Sequence, residues 1–192
     1  MLAGMPSVLA RFRPPPPDVP AVVRRDEVPA SAWHGQLRDG ALRVVWGDVA
    51  APAGLRLTPE VRVRSIAGLV PDRAVVGRAT ALWVHTGRHR PDRVEVLVHR
   101  RTRPVAPNPH RVCSEADLPE ADLTWVAGLR VTTVQRTGMD LARWLPPDAA
   151  VPLVADLLTL GFDPERAARD LRAMSGERHV RSARRTLALV GR

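Results

Sequence analysis

The sequence predicts an α+β fold in which a small winged helix-turn-helix-like module precedes a larger mixed α/β domain that ends in a helical, bundle-like segment. Three observations carry that prediction. A short helical run closed by a glycine leads directly into a small hairpin, an uninterrupted apolar strand sits mid-chain, and the last third reads as successive capped helices. The 192 residues suit a small module joined to a larger one, divided as residues 1–20, 21–55 and 56–192.

Residues 1–20 carry Arg11, Arg13 and the run Pro14 to Pro17, a composition that favours an extended segment without internal hydrogen bonds. They read as an arm, either solvated or touching a phosphate backbone. Val22 to Val28 leads into Pro29-Ala30-Ser31, with Trp33 and Leu37 at helical spacing and Gly40 placed to end the helix in a left-handed conformation. Leu42 to Trp46 reads as a strand, and Gly47-Asp48 as a two-residue hairpin turn before Val49. Pro52-Ala53-Gly54 marks a boundary.

Thr58-Pro59-Glu60 supplies a cap, a first-position proline and an early acid, so a helix runs from there to about Leu69. Asp72 to Gly77 reads as the entry to a second helix over Arg78 to His85. Val94 to Val98 does not alternate enough to be half exposed and is expected as a buried strand. A further strand pair is expected around Arg111–Cys113 and Leu123–Val131, with Gly128 at a bend. Thr132 to Gln135 fits a capping box opening a helix to Leu145. Asp148 to Leu160 gives the most apolar helix, closed by Gly161, and Asp163-Pro164-Glu165 starts the next, with Ala167, Leu171 and Met174 inward. The last helix, Arg178 to Val190, buries Val180, Ala183, Leu187 and Val190 and leaves Arg178, Arg181, Arg184 and Arg185 outside.

Hydrophobic residues form 45% of the chain, yet only five Trp and two Phe are aromatic, so Val, Leu and Ala must build the core. The net charge is +9 and all 29 basic residues are Arg. Arg presents a planar fork suited to phosphate or carboxylate, and the excess favours an acidic macromolecular partner. Residues 1–56 have seven Arg against five acids, residues 57–110 ten against four, and residues 111–192 twelve against eleven. The excess therefore lies in the middle of the chain. A single cysteine, Cys113, excludes an internal disulfide. With no apolar leader in Met1 to Pro20 and no apolar run of roughly 20 residues, the protein is expected in the cytoplasm, not in a membrane.

The segment Gly128 to Arg143 contains Gly-Leu-x-Val-Thr, then Arg136-Thr137, then Asp140-Leu141-Ala142. It resembles the signature of the actinobacterial AbiEi-type (type IV toxin–antitoxin) antitoxin and transcriptional regulator family. Glu120 to Leu123, Arg78 to Trp83 and the helix–Gly–strand–Gly order of Ser31 to Gly47 are similar to the same family. The resemblance spans most of residues 22–192 and stops short of the Vsr-like endonuclease segment of longer relatives. It implies an N-terminal winged helix that binds operator DNA, here through Ser31, His34, Gln36, Arg38 and Arg43, with the helix in the major groove. It also implies a C-terminal domain that counters a cognate nucleotidyltransferase-like toxin. The family's recognition helix is usually rich in Arg, whereas Ala30 to Asp39 has Arg38 alone, and its Gly-Val-Tyr wing is Gly47-Asp48-Val49 here. A second reading follows, a protein-binding module whose winged helix no longer binds DNA.

No catalytic set emerges from the remaining residues, and neither a cofactor nor a metal is expected. Arg136 and Asp140 stand four apart on a helix and form an ion pair while Thr137 faces the sheet, so Gly128, Thr132, Arg136, Thr137 and Asp140 read as structural. His85 and His89 have chelating spacing, with His99, His110 and Cys113 beyond, but Thr86-Gly87 interrupts the helix between them. Glu115, Asp117, Glu120 and Asp122 read as a solvated loop edge, or as a magnesium cluster if a nuclease site assembled. Arg88, Arg90, Arg93, Arg100, Arg101 and Arg103 flank the Val94–Val98 strand, and Arg181, Arg184 and Arg185 form a second stripe. Both are candidates for phosphate or partner contact, or ordinary surface charge.

Overall fold

The structure is a computed structural model that describes residues 21–100, 105–173 and 179–190. The proline-rich arm, Arg101, Arg103, Met174 and Arg178 lie outside the described residues. The fold is α+β. Strand β1 (Val23–Arg24), helix α1 (Ala30–Arg38) and strands β2 (Leu42–Trp46) and β3 (Val49–Pro52) come first, forming an antiparallel sheet in the order β1-β3-β2. Gly40 (φ +72°) closes α1, and Gly47 (φ +50°) turns the β2–β3 hairpin, both left-handed positions that glycine adopts without steric cost.

Helix α2 (Pro59–Ile66) follows, with Thr58 accepting the Val61 amide at its start and a 3-10 turn carrying the chain to Leu69. Strand β4 (Val75–Val76), helix α3 (Arg78–Thr86), and strands β5 (Val94–His99), β6 (Arg111–Ala116), β7 (Leu123–Val126) and β8 (Leu129–Thr132) complete a second sheet ordered β6-β5-β4-β8-β7. Its middle strand, β4, has two residues, and the sequence reading took it as the entry loop to α3. Two apolar residues give too short a pattern to separate a strand from a turn. Their burial shows what they do: Val76 pairs with Val96 on one side and Val131 on the other.

Strands form around Arg111–Cys113 and within Leu123–Val131 as expected, but the two segments do not pair with each other. β6 instead runs parallel to β5 at one edge of the sheet, and β7 and β8 make their own hairpin at the other, turning at Ala127 (φ +46°) and Gly128 (φ +83°). The reason lies in β5. Its Val94, Val96, Leu97 and Val98 are buried, as befits an interior strand, and both of its edges are paired, one with β4 and one with β6.

Helices α4 (Val134–Trp144), α5 (Pro147–Leu158), α6 (Pro164–Ala173) and α7 (Val180–Val190) form the helical end. Leu141, Val154, Leu157, Phe162, Leu171 and Leu187 share one buried cluster there, joined by Leu82 of α3. The N-cap of α4 is Thr133, whose hydroxyl accepts the Arg136 amide at 3.2 Å. This shifts the expected capping box by one residue. Gln135 does not return to the cap, because its amide is engaged with both backbone groups of Asp163, binding α4 to the start of α6. The second large cluster unites Val45, Trp46 and Ala51 of the first sheet with α2, α3, β4, β5 and β8, so the hairpin's inner face is part of the main core. No helix among the described residues is long and apolar enough to cross a membrane.

Candidate functional site

Helix α1 is set on the first sheet by Trp33, which packs with Leu42 and Ala50 and with the partly buried Val23, Val28 and Leu37. A helix turns 100° per residue, so fixing Trp33 and Leu37 inward directs positions i, i+3 and i+7 of the opposite side outward. Ser31, His34 and Arg38 occupy that line, all exposed, with exposed Gln36 on its flank. The outer face of α1 beside the β2–β3 hairpin therefore collects four of the five residues expected to face DNA. Arg43 is exposed on β2, but its guanidinium donates to the Leu55 carbonyl beyond the hairpin. Carboxylates meet the module's other cations: Arg38 lies 3.4 Å from Asp39, and Arg25 lies 3.7 Å from Asp48 at the hairpin turn.

The arginines around β5 do not form one patch. Arg88, Arg90 and Arg93 precede the strand and Arg100 follows it, and six residues of strand separate the two ends by roughly 20 Å. Arg88 binds Asp156 of α5 at 2.8 Å, while Arg90 and Arg93 donate to the carbonyls of Val45 and Arg111. Arg62, buried on α2, donates to the carbonyls of Val84 and Leu57, and burial lowers its pKa. Arg111 likewise serves Leu69 and Ala106. Much of the mid-chain positive charge thus holds backbone carbonyls, using the multiple donors of the guanidinium. Arg181, Arg184 and Arg185 are exposed on α7, as their spacing predicts.

The motif residues converge at the start of α4. The hydroxyls of Thr132 and Thr137 lie 2.7 Å apart, both fully buried, which ties the end of β8 to the helix. Arg136 donates from Nε to Asp140 at 2.9 Å and from Nη1 to Asp122 at 2.7 Å. Asp122 is therefore not part of a solvated acidic edge. It sits in a 3-10 turn that aims its carboxylate at α4, a long-range placement that an acidic run does not signal. Glu120 approaches Arg130 at 3.8 Å, and Glu115 and Asp117 stay exposed. Burial disfavours the charge on Arg136, but attraction to Asp140 and the hydrogen bonds it donates to Asp122 and Asp140 outweigh that, and its pKa rises. Burial pushes the Asp140 carboxyl up against the pull of Arg136, Arg78 and Arg143.

This cluster forms one wall of a cleft of about 330 Å³ between β5, the end of β6, α3, α4 and α6. Leu97, Met139 and Ala116 contribute apolar surface, while Arg78, Arg100, Arg143 and Trp144 face it alongside the acids Glu115, Asp117 and Asp170. Of these, the sequence marks Arg100 as a candidate for phosphate or partner contact and Glu115 and Asp117 as part of an acidic cluster. Arg78 and Trp144 are 66 residues apart in number yet stack at 4.7 Å, a contact made by the sheet topology and not by any local pattern.

The histidines do not gather. Gly87 (φ +75°) ends α3 before His89, His85 donates from Nε2 to the Thr132 carbonyl at 2.8 Å, and His89 meets Asp156 at 2.9 Å. His85 is largely buried, which lowers its pKa and favours the neutral ring.

No family model and no curated protein matches the chain. Among solved structures it is similar to the crystal structure of the Rv2827c protein from Mycobacterium tuberculosis. That likeness has 20% sequence identity and a TM-score of 0.44, over 90% of this chain and 72% of that one.

Proposed function

We propose that the protein is a non-enzymatic, antitoxin-type transcriptional regulator of the cytoplasm. In this reading it binds operator DNA through α1 and the β2–β3 hairpin and counters a nucleotidyltransferase-like toxin through residues 56–192. The observation that carries the DNA half is the outward line of Ser31, His34 and Arg38 on a helix that Trp33 anchors beside a hairpin. Such a helix presents hydrogen-bonding side chains to base edges while the neighbouring hairpin meets the backbone. The resemblance of Gly128 to Arg143 to the antitoxin signature supports the toxin-directed half. Titration of fluorescent DNA from upstream of the protein's own gene, at two salt concentrations, tests the reading. Saturation at micromolar protein or below, weakening with salt, is expected; no binding in low salt would overturn it.

A second reading is favoured by one observation, the carboxylates beside Arg38 and Arg25 in the same module. These pairs offset the charge a DNA-binding surface needs, and they suit a module that docks on protein instead. Co-purification with the product of the adjacent gene separates the two. A partner retained by protein that shows no affinity for upstream DNA favours the second reading.

A further inference from the structure

Arg78 begins α3 with its backbone in the left-handed region, at φ +51°, a conformation costly for a side chain of this size. The start of the helix is held from both sides. Gly77 lies so close to β5 that a Cβ there would stand 2.6 Å from Leu97, and the Ala79 amide donates to Glu95 at 3.3 Å. The Thr80 hydroxyl accepts the Glu95 amide at 2.8 Å and completes the junction. Held this way, Arg78 reaches to α4, where its guanidinium lies 4.7 Å from the centre of the Trp144 ring.

The Asp140 and Glu95 carboxyls feel the charge of the guanidinium from a distance, but neither meets it in an ion pair. Among the described residues Arg78 forms no ion pair, and its Nε is shut off from solvent without a hydrogen-bond acceptor. Buried donors are rarely left in that state, and an unsatisfied guanidinium N–H on a strained residue of a cleft wall marks a place where a ligand supplies the acceptor that the protein omits. Arg136 is less available to that ligand, since Asp140 and Asp122 engage its Nε and Nη1 and balance its charge.

We propose that the cleft binds a small ligand through an oxyanion, a carboxylate or phosphate group, received by the Arg78 fork over Trp144. Its volume of about 330 Å³ falls at the small end of the range for ligand pockets. The exposed Arg100 adds a further cation to the lining, and Leu97 and Met139 give the ligand's body an apolar seat. The carboxylates of Glu115, Asp117 and Asp170 line the same cleft and oppose negative charge along most of it, so the anion is a single group seated at Arg78 on a small molecule and not a nucleic-acid backbone running past those acids. The site is independent of α1 and of DNA binding.

Isothermal titration of the full chain with inorganic phosphate and, separately, with succinate tests this at matched ionic strength. At least one probe is expected to saturate at millimolar concentration. Arg78→Gln is expected to weaken it by about tenfold or more, while Arg73→Gln, an exposed arginine outside the cleft, leaves it unchanged. Phosphate alone, or succinate alone, identifies which oxyanion the site prefers. In the unmodified protein the Arg78 Nε–H resonance should shift with the same saturation curve, a readout that survives if the variant misfolds. No saturation by either probe, equal binding by Arg78→Gln, or an unmoved Arg78 resonance overturns the proposal.

Discussion

Arg136 and Asp140, one turn apart on α4, meet at 2.9 Å with Asp140 only 2% exposed. A carboxylate so far from water is tolerable because the guanidinium meets it there, and Asp122 fixes the guanidinium from the other side. Arg136→Met should therefore strand a buried charge and destabilise the protein by ~3–5 kcal/mol in urea unfolding. The double variant Arg136→Met, Asp140→Leu should recover a substantial part of that loss. A single variant within error of the parent would show that the pair is not what makes Asp140 tolerable.

Gly138 stands on the same helix between the motif residues, and a Cβ there would lie 2.4 Å from the ring of Phe162. The Phe162 side chain is 4% exposed and belongs to the helical core, so it cannot withdraw into solvent. Gly138→Ala, which would raise helix propensity on an exposed face, should here lower stability by ~1–3 kcal/mol through overpacking. Thermal melting reads the sign directly.

Burial holds His85 below its ordinary value of 6.5, with the Thr132 carbonyl accepting from the neutral ring. The unfolded chain then binds a proton at a pH where the folded chain does not. The stability His85 contributes is complete above about pH 6.5 and falls as the pH drops below that toward its depressed folded value. His85→Gln retains a donor without titrating, and its stability should depend less on pH between about 7 and 5. Equal slopes in the two proteins would show that other groups set the dependence.

Elements with their own local signals were legible in the sequence. Gly40, Gly47 and Gly161 mark turns that need a left-handed residue, and all three have positive φ. The inward residues of α6 and α7 follow from helical spacing, and Ala167, Leu171, Ala183 and Leu187 are buried as that spacing requires. Long-range pairing was not legible. β4 is too short to leave a period, and β6 pairs with β5 through backbone groups that its side chains do not announce. The cleft shares this origin, since Arg78, Asp122 and Trp144 come from three separated elements. The mid-chain arginine excess was visible, but its use on internal carbonyls was not, because an acceptor such as Val84 O leaves no mark in the sequence.

The central claim is that the outer face of α1 contacts DNA. The most direct measurement compares the parent chain with the double variant His34→Ala, Arg38→Ala in binding to upstream DNA at fixed low salt. Both positions are exposed and neither belongs to Trp33's buried cluster, so the fold should be unaffected. The account predicts at least about a tenfold loss of affinity and a shallower dependence on salt, as one phosphate- or base-directed cation is removed. Unchanged affinity and an unchanged salt slope would contradict it.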